Sequence, residues 1–188
     1  MSRSAILCAA AAAVLGGSAL AEPPKANLPA SRAAALKVAP YGPMAYFGRF
    51  DGMAFRAEWI EDGKKTVDVA TYEMILGGRA LQSTHRIQNS SYGGRTIFFY
   101  DEAAKAYVFH YFTTGGFHTA GAAELKDGVL TSVEDVKGHD TIASVRSRAA
   151  FFPSEIRVEV TYVGKDGAET QAAPRNYRAI NDPGPLFP

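Results

Sequence analysis

The chain has one cysteine in 188 residues, Cys8, inside its first apolar run. With no second thiol it has neither an internal disulfide nor a Cys-x-x-Cys redox pair. Neither sign of charge is in surplus: 20 Lys and Arg stand against 19 Asp and Glu, a net charge of +1. So near-neutral a chain has nothing with which to hold a phosphate backbone, and nucleic acid is excluded as the expected partner. Long apolar runs are missing as well. The first, Ala5 to Leu15, falls short of the roughly 20 residues that cross a bilayer, so no membrane span is expected. No Gly-x-Ser-x-Gly elbow occurs. Gly93-Gly94-Arg95 and Gly115-Gly116 lack the spacing and the following helix of a phosphate loop.

What is present divides the chain. Arg3, the run from Ala5 to Leu15 and the small-x-small end Ala19-Leu20-Ala21 read as a signal peptide over residues 1–21, which predicts a periplasmic or secreted protein. Cleavage after Ala21 leaves no cysteine and equal numbers of acidic and basic residues, so the mature domain must rest on its core. Residues 22–43 carry Pro23, Pro24, Pro29 and Pro40 and read as a tether, with a short helix over Ser31 to Val38. Residues 44–182 form the folded domain, and residues 183–188 a C-terminal tail. A second helical piece, Met44 to Gly48, is expected to close one end of that domain.

From Gly52 onward, short β-rich runs recur about every ten residues between Gly, Asp and Asn turns. In the first run Met53, Phe55, Ala57 and Trp59 alternate with Arg56 and Glu58 up to the turn pair Asp62-Gly63. Val67 to Ile75, Arg79 to Gln88, Thr96 to Tyr100, Ala106 to Phe112, Phe117 to Glu124, Val129 to Glu134, Thr141 to Phe151, Ile156 to Tyr162 and Asn176 to Ile180 continue the series. About ten strands joined by short connections predict an all-β fold. The expected form is a single up-and-down antiparallel barrel, because closure removes the unpaired edges.

The order of Gly52, Gly77-Gly78-Arg79, Tyr100-Asp101 with Tyr107, Gly115-Gly116, Asp127-Gly128 and Tyr177-Arg178 resembles a secreted bacterial family of unknown function with a lipocalin-like (calycin) barrel. The likeness runs over roughly Met44 to Ile180 and is distantly shared with the haem-binding nitrobindins. Where that family has a tryptophan two residues after its glycine, this chain has Ala54, and Trp59 lies later on the same strand. Nitrobindin-type barrels ligate haem through a histidine near the C-terminal end. No histidine follows His139 here, so the resemblance implies no haem, and no other cofactor is called for.

Inward polar residues are the candidates for function, because an apolar interior with a few convergent polar groups is a binding site by default. His85 shares a face with Leu81, Ser83 and Ile87. His110 and His118 flank the Thr113-Thr114-Gly115-Gly116 turn. A three-residue loop pairs them directly, whereas a two-residue loop sets His110 opposite Thr119. With no carboxylate or cysteine at ligand spacing, the two make no metal site. Glu73 shares parity with Val67, Val69 and Ile75, which turns it inward. Either Arg79 pairs with it or, as favoured here, a bulge beside Gly77-Gly78 flips the register. Trp59, Tyr100 and Tyr111 complete the candidate ligand-contacting set.

The expectation is thus an exported barrel that binds a small, mainly apolar molecule, with His85 and tyrosines orienting it. An enzyme using Glu73 and His85 in proton transfer, or a filled barrel serving as an interaction module, are the alternatives. The sequence points to no catalytic residue and leaves the oligomeric state open.

Overall fold

The computed structural model describes residues 39–61 and 63–187. The signal-like segment 1–21 and the Ser31–Val38 helix lie outside them. Eleven strands follow a 3-10 helix, Gly42–Phe50. They are β1 (Ala54–Glu61), β2 (Lys64–Ile75), β3 (Ala80–Ile87), β4 (Gly93–Asp101), β5 (Ala106–Thr113) and β6 (His118–Lys126). Then come β7 (Val129–Lys137), β8 (Ile142–Phe151), β9 (Glu155–Gly164), β10 (Glu169–Gln171) and β11 (Arg175–Ile180). Each strand from β1 to β9 pairs antiparallel with the next, β9 pairs with β11, and β11 returns to β1. Ten strands therefore close a barrel, and the short β10 lies beside the upper part of β9.

Period-two alternation decides what enters the barrel. In β1, Phe55, Ala57 and Trp59 are buried. Because Glu61 pairs with Lys64, a two-residue turn joins β1 to β2, and the odd positions of β1 face even positions of β2: Phe55 meets Ala70, Ala57 meets Asp68 and Trp59 meets Thr66. The interior face of β2 is thus Thr66, Asp68, Ala70 and Tyr72, all buried.

The helix closes one end of the barrel, as expected of this segment, although it is longer than Met44 to Gly48 and of 3-10 type. Its Met44, Phe47 and Phe50 are fully buried. Phe47 sits 4.9 Å from the Phe98 ring and 5.4 Å from Tyr107. Phe50 lies 4.6 Å from Phe151 and also approaches Phe55 and Tyr72. Such edge and tilted contacts add to the area that each ring buries. The plug is tied to the strand ends by polar bonds: the Tyr107 hydroxyl donates to Pro43 O at 2.7 Å, Met74 N to Asp51 Oδ1 at 2.8 Å and Tyr41 N to Gly78 O at 3.0 Å. The turn receiving Tyr41 needs glycine, since Leu76, Gly77 and Gly78 all have φ between 53° and 81°. Among the described residues, no helix is long and apolar enough to cross a membrane.

Candidate functional site

Away from the helix, the interior changes character. Asp68 on β2 and His85 on β3 are both 1% exposed. Asp68 pairs across the ladder with Ile87, and Ala70 with His85, so the two polar residues are diagonal neighbours on one face. His85 Nδ1 lies 3.0 and 3.1 Å from the two carboxylate oxygens of Asp68. A carboxylate only accepts, so Nδ1 carries a proton toward Asp68, and in the neutral ring Nε2 is the acceptor. The Tyr111 hydroxyl from β5 meets that nitrogen at 2.8 Å.

Tyr111 reaches His85 by lying across β4, and this requires Gly94. A Cβ built on Gly94 would fall against Cε2 of the Tyr111 ring and 2.8 Å from its Cζ. The chain of bonds continues both ways. The Tyr92 hydroxyl, half-buried before β4, stands 3.1 Å from that of Tyr111, and the Tyr177 hydroxyl on β11 donates to Asp68 Oδ2 at 2.7 Å. Five side chains from four strands and a loop thus form one hydrogen-bonded line, Tyr92–Tyr111–His85–Asp68–Tyr177. Both ring nitrogens of His85 are engaged within it.

Two further polar groups face the same half of the interior. Glu134 on β7 is 2% exposed and accepts a hydrogen bond from the Thr119 hydroxyl of β6. Its other oxygen has no hydrogen-bond partner among the described residues. Burial pushes this carboxyl up to about 7, against a smaller opposing effect of the Thr119 hydroxyl. Arg175 on β11 is 1% exposed, with its guanidinium 4.9 Å from the Trp59 ring and Nη2 donating to the Tyr162 hydroxyl at 3.1 Å. At the rim, Phe117 stacks beside Tyr92 and meets His139 edge-on. A cleft of about 370 Å³ between Asp140–Ile142 and Gly164–Thr170 exposes one side of Tyr162.

The sequence-derived candidates are placed unevenly. His85 and Tyr111 come together. Trp59 lines the interior beside Arg175. Tyr100 packs at the helix end against Tyr107, 5.2 Å away, and not beside His85.

Three expectations are corrected. Glu73 faces outward, because it pairs with Gln82 while the interior position Tyr72 pairs with Ser83. The β2–β3 ladder is regular from Asp68 to Ile75, so there is no bulge to flip it. The sheet therefore separates Glu73 from His85, and the two make no proton-transfer pair. His110 and His118 also lie outside the barrel. His110 pairs with Ala120 and His118 with Phe112, neither of the two registers considered from the sequence. The loop is three residues long but centred on Gly115, one residue later than expected, because Thr113 closes onto Phe117 O through both its amide and its hydroxyl.

Sequence reasoning passed over Asp68, Tyr92, Thr119, Glu134, Arg175 and Tyr177. One signal does point to Asp68: the β1 alternation carried through a two-residue turn. No family model matches this chain, and a search of curated proteins finds no match. Among the described residues, no group of three or more His, Cys, Asp or Glu side chains is arranged to hold a metal ion.

Proposed function

We propose that this protein is an exported, lipocalin-like carrier or sensor that binds a small, mainly apolar molecule in the half of the barrel away from the helix. The observation that carries the reading is the line Tyr92–Tyr111–His85–Asp68–Tyr177, a continuous polar array built into the barrel interior and ending at half-buried Tyr92 near the rim. A barrel that served only as a scaffold gains little from such a line, because each buried hydrogen bond nets only about 1 kcal/mol. As a binding element it presents hydroxyl groups whose orientation is fixed before the ligand arrives, which lowers the ordering cost of binding. The apolar part of the wall, Trp59, Val136, Val145 and Val160, then takes the body of the ligand and the tyrosines its polar end.

Trp59, on the interior wall, is the chain's one tryptophan and reports occupancy. Native mass spectrometry of protein purified from its own cell envelope should show a retained small molecule. Titration with N-phenyl-1-naphthylamine should quench Trp59, and His85→Ala should weaken that binding about tenfold while His110→Ala, on the outer face, leaves it unchanged. No retained mass together with unaltered Trp59 emission at saturating probe overturns the reading in favour of a filled barrel.

A further inference from the structure

Three of the five exposed large hydrophobic side chains among the described residues lie on one outer face: Phe99, Phe112 and Val133, at 37%, 54% and 56% exposure. Phe99, Val108, Ala122 and Val133 are direct cross-strand partners in a row over β4, β5, β6 and β7. The next row carries Ile97, His110, Ala120 and Asp135. Beyond it Phe112 stacks between His110 and His118, with ring centroids 6.3 and 6.1 Å apart and planes within 21°. The outer face of β1 and β2 is built differently, with Arg56, Glu58 and Lys65 in mutual ion pairs.

Charge borders the apolar face asymmetrically. On β4 Arg95 stands at the end away from the helix and Asp101 at the helix end. On β6 the His118 imidazole, a hydrogen-bonding group, and the Glu124 carboxylate are disposed in the same sense. A two-fold axis lying in the face and running across the strands inverts strand direction while keeping each strand opposite itself. It sets Arg95 against Asp101 and His118 against Glu124 of a second copy, with the Phe99–Val133 row meeting the Ile97–Asp135 row between them and Asp135 at its edge. An axis along the strands instead opposes β4 with β7 and brings Arg95 against Lys137.

We infer that this face, β4 to β7, is the isologous interface of a homodimer, related by the two-fold axis across the strands. Isologous pairing of a self-complementary patch is the usual form of a dimer. Exposed apolar patches rimmed by polar residues mark such surfaces. The face measures roughly 20 Å by 20 Å from strand spacing and rise. Two such patches bury about 800 Å² in all, below the standard size of specific interfaces, so association is weak and reversible. The inference is independent of what the interior binds.

Sedimentation velocity of the purified protein from 5 to 500 μM tests it. A monomer–dimer equilibrium is expected. Phe112→Glu should abolish it with no change in far-ultraviolet circular dichroism or Tm, since the side chain is exposed. Glu124→Lys should raise Kd about tenfold, and the double variant His118→Glu with Glu124→Lys should restore it, because the swap leaves opposite charges facing. Restoration is an outcome that a merely structural role for these residues does not produce. A wild-type protein that remains monomeric at 500 μM overturns the inference, as does a Phe112→Glu dimer. Cosedimentation of such a monomer with phosphatidylglycerol vesicles, lost in Phe112→Glu, would assign the face to a lipid surface instead.

Discussion

The two ends of the barrel interior solve opposite problems. At the helix end Phe47, Phe50, Phe55, Tyr72, Phe98 and Phe151 fill the space ring against ring, with the helix as the last layer. At the far end Asp68, His85, Tyr111, Thr119, Glu134 and Arg175 occupy equally buried positions on β2, β3, β5, β6, β7 and β11. Each buried ring contributes about 2–3 kcal/mol through the apolar area it removes from water. Each satisfied polar pair nets about 1 kcal/mol but costs more than that once one partner is removed. Stability is therefore concentrated under the helix, while the far end spends burial on orienting polar groups. A single continuous barrel separates the two tasks along its axis.

The sharpest way to break this contrast is to delete one ring. Phe151, 1% exposed and 4.6 Å from Phe50, is held between strand β8 and the helix. Phe151→Ala should cost about 3–5 kcal/mol in urea unfolding, from lost transfer energy and the cavity left behind. Far-end substitutions should cost clearly less. Comparable losses at both ends would mean that the polar half also carries the fold.

Glu134 gives the next largest effect, and its sign depends on pH. Its carboxyl is pushed up to about 7 by burial, from an ordinary value of 4.5. The folded state therefore holds a proton that the unfolded chain releases. This stabilising contribution is complete below about pH 4.5 and is lost as pH rises through about 7. Glu134→Gln keeps the hydrogen-bond acceptor for Thr119 and removes the ionisation. The variant should match wild type near pH 4 and exceed it by roughly 3 kcal/mol at pH 8.5. Parallel stability–pH curves for the two proteins would refute the assignment.

Closure into a barrel was legible because it rests on turn spacing and on alternation in β1, β3 and β9, where most of the large apolar residues share one parity. Strand β2 misled for a specific reason. Val67 and Val69 suggest that odd positions face inward, yet Val69 is buried on the outside, where Pro183, Pro185 and Leu186 of the tail approach it. Leu186 O also accepts a bond from Arg86 Nη1 at 3.2 Å. An outer face covered by the chain's own tail carries apolar residues on both sides of the sheet, and hydropathy then loses its phase. The turn does not: the two residues between Glu61 and Lys64 transmit the β1 parity and place Asp68 beside His85. On β7, Val129 and Val133 oppose Leu130 and Val136 in parity, so nothing in the apolar pattern set Glu134 inward. Strand β10 has three exposed residues paired only with β9 and no alternation to read.

The smallest expected effect probes the polar line itself. Tyr111→Phe leaves the ring where Gly94 makes room for it and deletes only the hydroxyl, so no cavity of consequence forms. His85 Nε2 loses its donor at 1% exposure, and Tyr92 loses the hydroxyl 3.1 Å away. Stranding a buried acceptor in this way costs about 1–2 kcal/mol, partly recovered if water follows. Asp68 still holds Nδ1, so the ring should keep its orientation, and the ¹⁵N shift of Nδ1 should stay while that of Nε2 moves. A stability loss under about 0.5 kcal/mol with both nitrogen shifts unchanged would show that Tyr111 does not serve His85. Affinity for N-phenyl-1-naphthylamine gives the second axis. If Tyr111 orients ligand, its loss weakens binding by a larger factor than the stability change alone explains. If the line is only structural, the two effects scale together.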